Sequence, residues 1–129
     1  NRKAVHVRPG FSEGYGNIGF VERQRGNVDE AIKNFERATI FNFRYVQAFA
    51  NLGNAYLMKG MVDEAIAANQ KAITLAPDFA PAYNNLTIAF LEKGDYAQAV
   101  DHYDKAVALG FDVAPPIRQE IEDHRAKLK

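Results

Sequence analysis

The sequence predicts an all-α solenoid of antiparallel helix pairs, and three observations predict it. First, the chain repeats itself every 34 residues: Tyr15/Phe49/Tyr83, Asn17/Asn51/Asn85, Ile18/Leu52/Leu86, Gly26/Gly60/Gly94, Ala31/Ala65/Ala99 and Ala38/Ala72/Ala106 fall in register. Second, each period holds two stretches with apolar residues at helical spacing, divided by a glycine. Third, small residues alternate with aromatics, as packed helix pairs require. Self-similarity at a fixed period marks units that bury their apolar faces only by stacking on one another.

The elements follow in chain order as residues 1–11, three units at 12–45, 46–79 and 80–113, and a final segment 114–129. The second unit shows the pattern most fully. Val46 to Lys59 places Phe49, Leu52, Gly53 and Tyr56 on one face, and Gly60 stops that helix by accepting the left-handed conformation. Asp63 and Glu64 then occupy the first turn of the next helix, where carboxylates favour the positive end of its dipole. Ala65, Ile66, Ala72, Ile73 and Leu75 give it an apolar face, and Pro77 ends it. Departures are few: Glu22 replaces the aromatic of Tyr56 and Phe90, Thr87 replaces Gly19 and Gly53, Phe43 and Phe111 replace Pro77, and Asn69 stands where Phe35 and Tyr103 sit. Each is expected to loosen a contact within the same fold.

Residues 1–11 align with 69–79, with Asn, Lys, Ala, Pro and Phe coinciding and Val5/Ile73 and Val7/Leu75 matching conservatively. The register predicts the C-terminal remnant of a further unit whose first helix lies upstream, in keeping with the absence of an initiating Met. At the other end, Pro115-Pro116 open a helix with Ile117, Ile121, His124 and Leu128 in one stripe. Its remaining face is polar, with i,i+4 pairs expected for Arg118–Glu122 and Asp123–Lys127. It is expected to cap the stack, since a solenoid end needs a polar outer face.

The aromatic, Leu-Gly, Tyr, Ala, Ala, Pro succession of Phe49, Leu52, Gly53, Tyr56, Ala65, Ala72 and Pro77 resembles the tetratricopeptide repeat, over Ser12 to about Val113. The resemblance implies a right-handed α–α superhelix whose first helices line a concave groove. It further implies a non-catalytic scaffold or adaptor that holds a protein or peptide segment there. Asn17, Asn51 and Asn85 recur on those first helices. Such amides either pair with the backbone of an extended peptide or bond the neighbouring unit and set the superhelix. Helical spacing adds Glu13, Phe20 and Arg23 from the first unit, Gln47, Asn54, Leu57 and Met58 from the second, and Asn84, Ile88 and Leu91 from the third. Their mixture of amide and apolar groups suits a peptide or helix with hydrophobic anchors, Met58 being adaptable. Family members that clamp a chaperone's C-terminal carboxylate use Lys and Asn, then Asn, then Lys and Arg. The matching places here hold Gly16, Phe20, Asn51, Pro81 and Asn85, so the cations that would pair with a carboxylate are missing.

Composition narrows the alternatives. Apolar and charged fractions of 47% and 25% are those of globular chains rather than disordered ones. There is no Cys, hence no disulfide framework and no thiolate metal site. Zero formal charge argues against a nucleic-acid partner. Lys and Arg outnumber Asp and Glu by 8 to 5 in residues 1–45 and are outnumbered 4 to 8 in 46–113, an asymmetry that suits head-to-tail contacts or a charged partner. No apolar run approaches the roughly 18 residues of a membrane span, and no signal-peptide pattern appears, so the expectation is no membrane insertion and a cytoplasmic setting.

Candidate chemistry is sparse. Gly14-Tyr-Gly-Asn-Ile-Gly19 spells a dinucleotide fingerprint, but the same six places recur in the other units without the glycines, within helices. His6, His102 and His124 form no ligand spacing, Asn85-Leu-Thr87 is a glycosylation sequon inside a packed helix, and no Ser or Cys nucleophile arrangement occurs. The expectation is no enzyme, no metal and no cofactor. Two other readings stand beside the scaffold: a self-assembling structural module, associating through an open N-terminal end, and an interaction domain of a larger enzyme.

Overall fold

The computed structural model describes residues 10–41 and 45–128. The expectations placed on residues 1–9, His6 among them, on Phe43 and on the side chain of Glu13 lie outside what is described. Among the described residues the chain forms helices and no strand: α1 (Gly10–Gln24), α2 (Val28–Phe41), α3 (Val46–Met58), α4 (Val62–Leu75), α5 (Ala80–Lys93), α6 (Tyr96–Ala108) and α7 (Pro115–Leu128). Thus α1/α2, α3/α4 and α5/α6 are the three pairs. Gly10 and Phe11, assigned from sequence to the preceding segment, belong to the first turn of α1.

The glycine column does the same work in every unit. Gly26, Gly60 and Gly94 have φ of 81°, 76° and 83°, a region only glycine enters without strain. Each amide bonds back to the third residue before it, and the following residue bonds to the fourth: Asn27 N to Glu22 O at 2.8 Å, Met61 N to Tyr56 O at 2.9 Å and Asp95 N to Phe90 O at 3.0 Å. This satisfies carbonyls that a helix end otherwise leaves open. The next helix starts at once, with Ala31, Ala65 and Ala99 each donating to the residue after the glycine at 3.0 Å. The second helices do not share one ending: α6 closes on Gly110, φ 89°, with Phe111 N bonding to Ala106 O at 3.0 Å, as the first helices do, whereas α4 does not. Ala76 turns extended ahead of Pro77, whose ring disfavours helical torsions in the residue before it.

Within each pair a small residue faces a large one. Gly19 meets the buried ring of Phe35, and Gly53 meets the side chain of Asn69. The sequence expectation that Asn69 loosens its contact is overturned. Asn69 is fully buried, donates to Ala65 O at 2.9 Å and accepts from Asn85 Nδ2 at 3.1 Å. In the third unit Thr87 takes the glycine's place, fully buried, with its hydroxyl donating to Tyr83 O at 2.9 Å.

A methyl group at residue 53 would overlap the Asn69 amide, which both hydrogen bonds hold in place. Gly53→Ala gains about 1 kcal/mol of helix propensity, but overpacking costs about 1–3 kcal/mol and disturbs those bonds. The expected net result in urea unfolding is a loss of stability. A rise would mean the Asn69 slot is looser than its geometry.

Successive units are tied by matched contacts. Lys59 pairs with Asp29 at 2.9 Å and Lys93 with Asp63 at 2.8 Å, each joining the end of a first helix to the start of the preceding unit's second helix. The Tyr56 hydroxyl donates to Glu36 at 2.9 Å, and burial together with that carboxylate pushes its pKa up to about 12. The first helices of neighbouring units touch each other more than the second helices do, so the stack curves with α1, α3 and α5 on its inner side.

The terminal helix docks through part of its predicted stripe. Ile121 is fully buried, Ile117 packs against the same cluster of Tyr83, Leu86, Phe90, Val100 and Tyr103, and His124 stacks on Tyr96 at 3.6 Å. Leu128 instead faces solvent. The two expected i,i+4 pairs do not form. Arg118 reaches back to Val113 O at 3.1 Å, Asp123 accepts from Gln119 at 3.0 Å, and Arg125 grips both oxygens of Asp104 on α6 at 3.1 and 2.6 Å. Only Arg118 leaves its expected partner for one off the helix; Asp123 and Glu122 find theirs within α7, in Gln119 and Arg125. The Asp104 carboxylate holds the Arg125 guanidinium more firmly protonated than usual.

Candidate functional site

The inner side of the curve is built from α1, α3 and α5, each stopped by its glycine so that one register of side chains projects at the same height in every unit. Its best-defined feature spans the first two units. Phe20 is exposed, the Arg23 guanidinium lies over its ring at 5.1 Å, and Arg23 Nη1 donates to Asn54 Oδ1 on α3 at 3.2 Å. Burial lowers the Arg23 pKa from its ordinary value, the mark of a cation partly withdrawn from water. Met58, one turn beyond Asn54, is also exposed, and Leu57 is half-buried beside it in sequence. An aromatic ring, a stacked guanidinium, an amide and a flexible thioether therefore occupy neighbouring places on one face.

The asparagine column divides. Asn17 is exposed on α1, and Asn51 is half-buried, accepting from Gln47 at 3.5 Å. Asn85 is buried, and its amide donates to Asn69 Oδ1 at 3.1 Å and to Ala50 O at 3.2 Å. Both of its N–H groups are engaged inside the fold, tying α5 to α3 and α4. Its role here is the unit-to-unit bond, the second of the two expected for the column. The sequon at Asn85 and Thr87 is closed for the same reason.

The third unit offers less to a ligand. Ile88 is half-buried, and Leu91 packs against the core beside Phe90. Asn84 is half-buried, and its Oδ1 is enclosed with no hydrogen-bond partner among the described residues, an acceptor that costs about 1–3 kcal/mol while unmet. Gly16, one of the carboxylate-clamp places, is covered by the Tyr45 ring, whose hydroxyl would lie 2.9 Å from any Cβ there.

Other candidates disperse. Gly14 to Gly19 lie within α1, with no strand or turn to cradle a phosphate. His102 contacts Gln98 O at 2.7 Å and lies 5.1 Å from the Phe90 ring, while His124 sits on Tyr96. Among the described residues no group of three or more His, Cys, Asp or Glu is arranged to hold a metal ion, and no helix is long and apolar enough to cross a membrane. A shallow depression lined by Asp29, Ile32, Lys33, Glu36, Tyr56 and Met61 opens on the second helix of the first unit, away from the inner side.

The glycine-capped helix pairs, their 34-residue register and the curved stack define a helical-repeat interaction module. The family profiles agree. "Tetratricopeptide repeat" matches residues 46–79 and, in a second form, 68–101, and "TPR repeat" matches 19–60. The chain belongs to the tetratricopeptide repeat family. No curated protein matches it in sequence.

Solved structures share the fold. The TPR domain of Sgt2 from Aspergillus fumigatus is 20% identical with a TM-score of 0.82, covering 91% of this chain and 78% of that one. The first TPR of Spaghetti (RPAP3), bound to the HSP90 peptide SRMEEVD, is 18% identical with a TM-score of 0.87, over 95% and 97% of the two chains. The Arabidopsis OM64 TPR domain is 18% identical with a TM-score of 0.84, over 88% and 96%.

Proposed function

We propose that this chain is a non-catalytic adaptor that holds a peptide segment or a helix against the inner face of its stack, using Phe20, Arg23, Asn54 and Met58 as the principal contacts. The observation that carries this reading is the Phe20–Arg23–Asn54 cluster, in which an exposed ring lies under a half-buried guanidinium bonded to a half-buried amide. Aromatic residues and arginines are among the residue types that dominate binding energy at interfaces, and here one of each is stacked on the inner face. Leu57 and Ile88 extend the apolar lining, and Asn17 and Asn51 supply amides for ligand backbone. Asn84 offers an acceptor that a ligand N–H would satisfy after a modest turn of its side chain. Leu91 and Asn85 support the wall from within.

The ligand differs in kind from the HSP90 peptide SRMEEVD bound by the Spaghetti domain, three of whose seven residues are acidic. The places that would hold a terminal carboxylate carry Gly16, Phe20, Asn51, Pro81 and Asn85, none of them cationic. Apolar anchors flanked by backbone amides are the better match.

A displayed library of random peptides selected on the folded chain tests this, with affinities then measured by calorimetry. Phe20→Ala combined with Met58→Ala is expected to weaken the selected peptides at least about tenfold, since losing two anchors costs well over 1.4 kcal/mol. Lys33→Ala, on the outer side, is expected to leave them unchanged. Equal binding by the double variant would move the site off this face.

A further inference from the structure

We infer that the outer side of α1 is a docking surface for one more unit of the same repeat, stacked ahead of Gly10, whose second helix carries a carboxylate in its first turn. Ile18 and Val21 are 50% and 45% exposed. Their counterparts at the same register, Leu52 and Ala55 in the second unit and Leu86 and Ala89 in the third, are 6% exposed or less because a preceding helix pair covers them. The first unit thus presents the apolar strip that the other two bury.

Charge specifies the occupant. Lys59 and Lys93, each just before its unit's capping glycine, pair with Asp29 and Asp63 in the first turn of the preceding unit's second helix. Arg25 stands 34 residues before Lys59, and among the described residues no carboxylate pairs with it. A unit docked in register would bring an acidic first turn opposite Arg25, as it does twice further along. A second copy of this chain fits less well, since its far end presents the polar face of α7.

The register supplies the test. Because Asn1 to Phe11 align with Asn69 to Phe79, a copy of residues 46–68 fused directly ahead of Asn1 supplies the positions of one unit and puts the copied Asp63 30 positions before Arg25, the separation of Lys93 from Asp63. The fused protein is expected to unfold at least about 5 °C higher than the original chain, with α1 amides exchanging about tenfold more slowly. At low salt, Asp63→Lys in the copy should forfeit part of that gain, and adding Arg25→Asp should restore it. No rise in midpoint, or a gain indifferent to both charge changes, would overturn the inference. So would protection of α1 that grows with concentration of the unfused chain and survives in the fusion, which assigns the surface to self-association. Peptide binding at Phe20 and Met58 is read separately, so neither result depends on the other.

Discussion

Replacing Ile121 by alanine is expected to destabilise the protein by about 3 kcal/mol, the usual range for a buried Ile or Leu cut to Ala being about 2–5 kcal/mol. Ile121 is the only described residue of α7 that is fully buried, and it plugs the cluster formed by Tyr83, Phe90, Tyr103 and Val113. The polar attachments of the cap cannot compensate. The Arg125–Asp104 pair is largely solvated, and exposed pairs contribute about 0–1 kcal/mol. Leu128→Ala, on the same predicted stripe but exposed, is the internal control and should change stability by no more than about 0.5 kcal/mol. Urea titration followed by circular dichroism separates them. A lower m-value in Ile121→Ala would further show α7 coming away before the rest, as nearest-neighbour stacks permit.

Asn85→Ala is expected to cost about 2–3 kcal/mol, and the loss should be strongly coupled to Asn69. Removing the Asn85 amide strands Asn69 Oδ1, a fully buried acceptor, and withdraws the donor to Ala50 O. A buried group left unmet costs about 1–3 kcal/mol. The carbonyl of Ala50 adds less, because it also sits within the hydrogen-bonding ladder of α3. With Asn69→Ala already in place the acceptor is gone, so Asn85→Ala should then cost less, giving a coupling of about 1 kcal/mol or more in a double-mutant cycle. Strict additivity would mean that the two amides do not share a bond that matters.

The contrast between these two sites shows what was legible in the sequence. Ile121 lay on a stripe at helical spacing, and its burial follows from that pattern. The glycine caps, the helix pairs and the aromatic and alanine columns were equally plain, because each depends on residues close together or on a strict period. The Asn69–Asn85 bond was not foreseen, since it joins helices of different units across 16 positions. A signal existed. An asparagine in a column otherwise held by Phe35 and Tyr103 must be buried, and a buried amide needs a polar partner. Asn51 looks identical to Asn85 in sequence, yet the place 16 residues before it holds Phe35, which offers no acceptor.

The same limit applied to the groove. Spacing placed Phe20, Arg23 and Asn54 on one face, but that Arg23 lies over Phe20 and bonds Asn54 depends on how α1 and α3 pack. The Lys–Asp ladder was visible as two columns, Lys59/Lys93 and Asp29/Asp63, although nothing in one dimension says that they meet. Likewise the i,i+4 pairs expected on α7 gave way to nearby competitors, Val113 O for Arg118 and Gln119 for Asp123, while the Arg125–Asp104 pair, 21 positions apart, is one that only the fold brings together.

At 14.4 kDa the chain suits amide NMR, and titrating it with a selected peptide tests the groove most directly. Adaptor function through the inner face predicts shifts concentrated on Phe20, Arg23, Asn54, Leu57 and Met58 and extending to Asn84 and Ile88, with α2 and α4 nearly still. Shifts centred instead on Asp29, Ile32, Lys33 and Glu36, with the inner face unmoved, would contradict it.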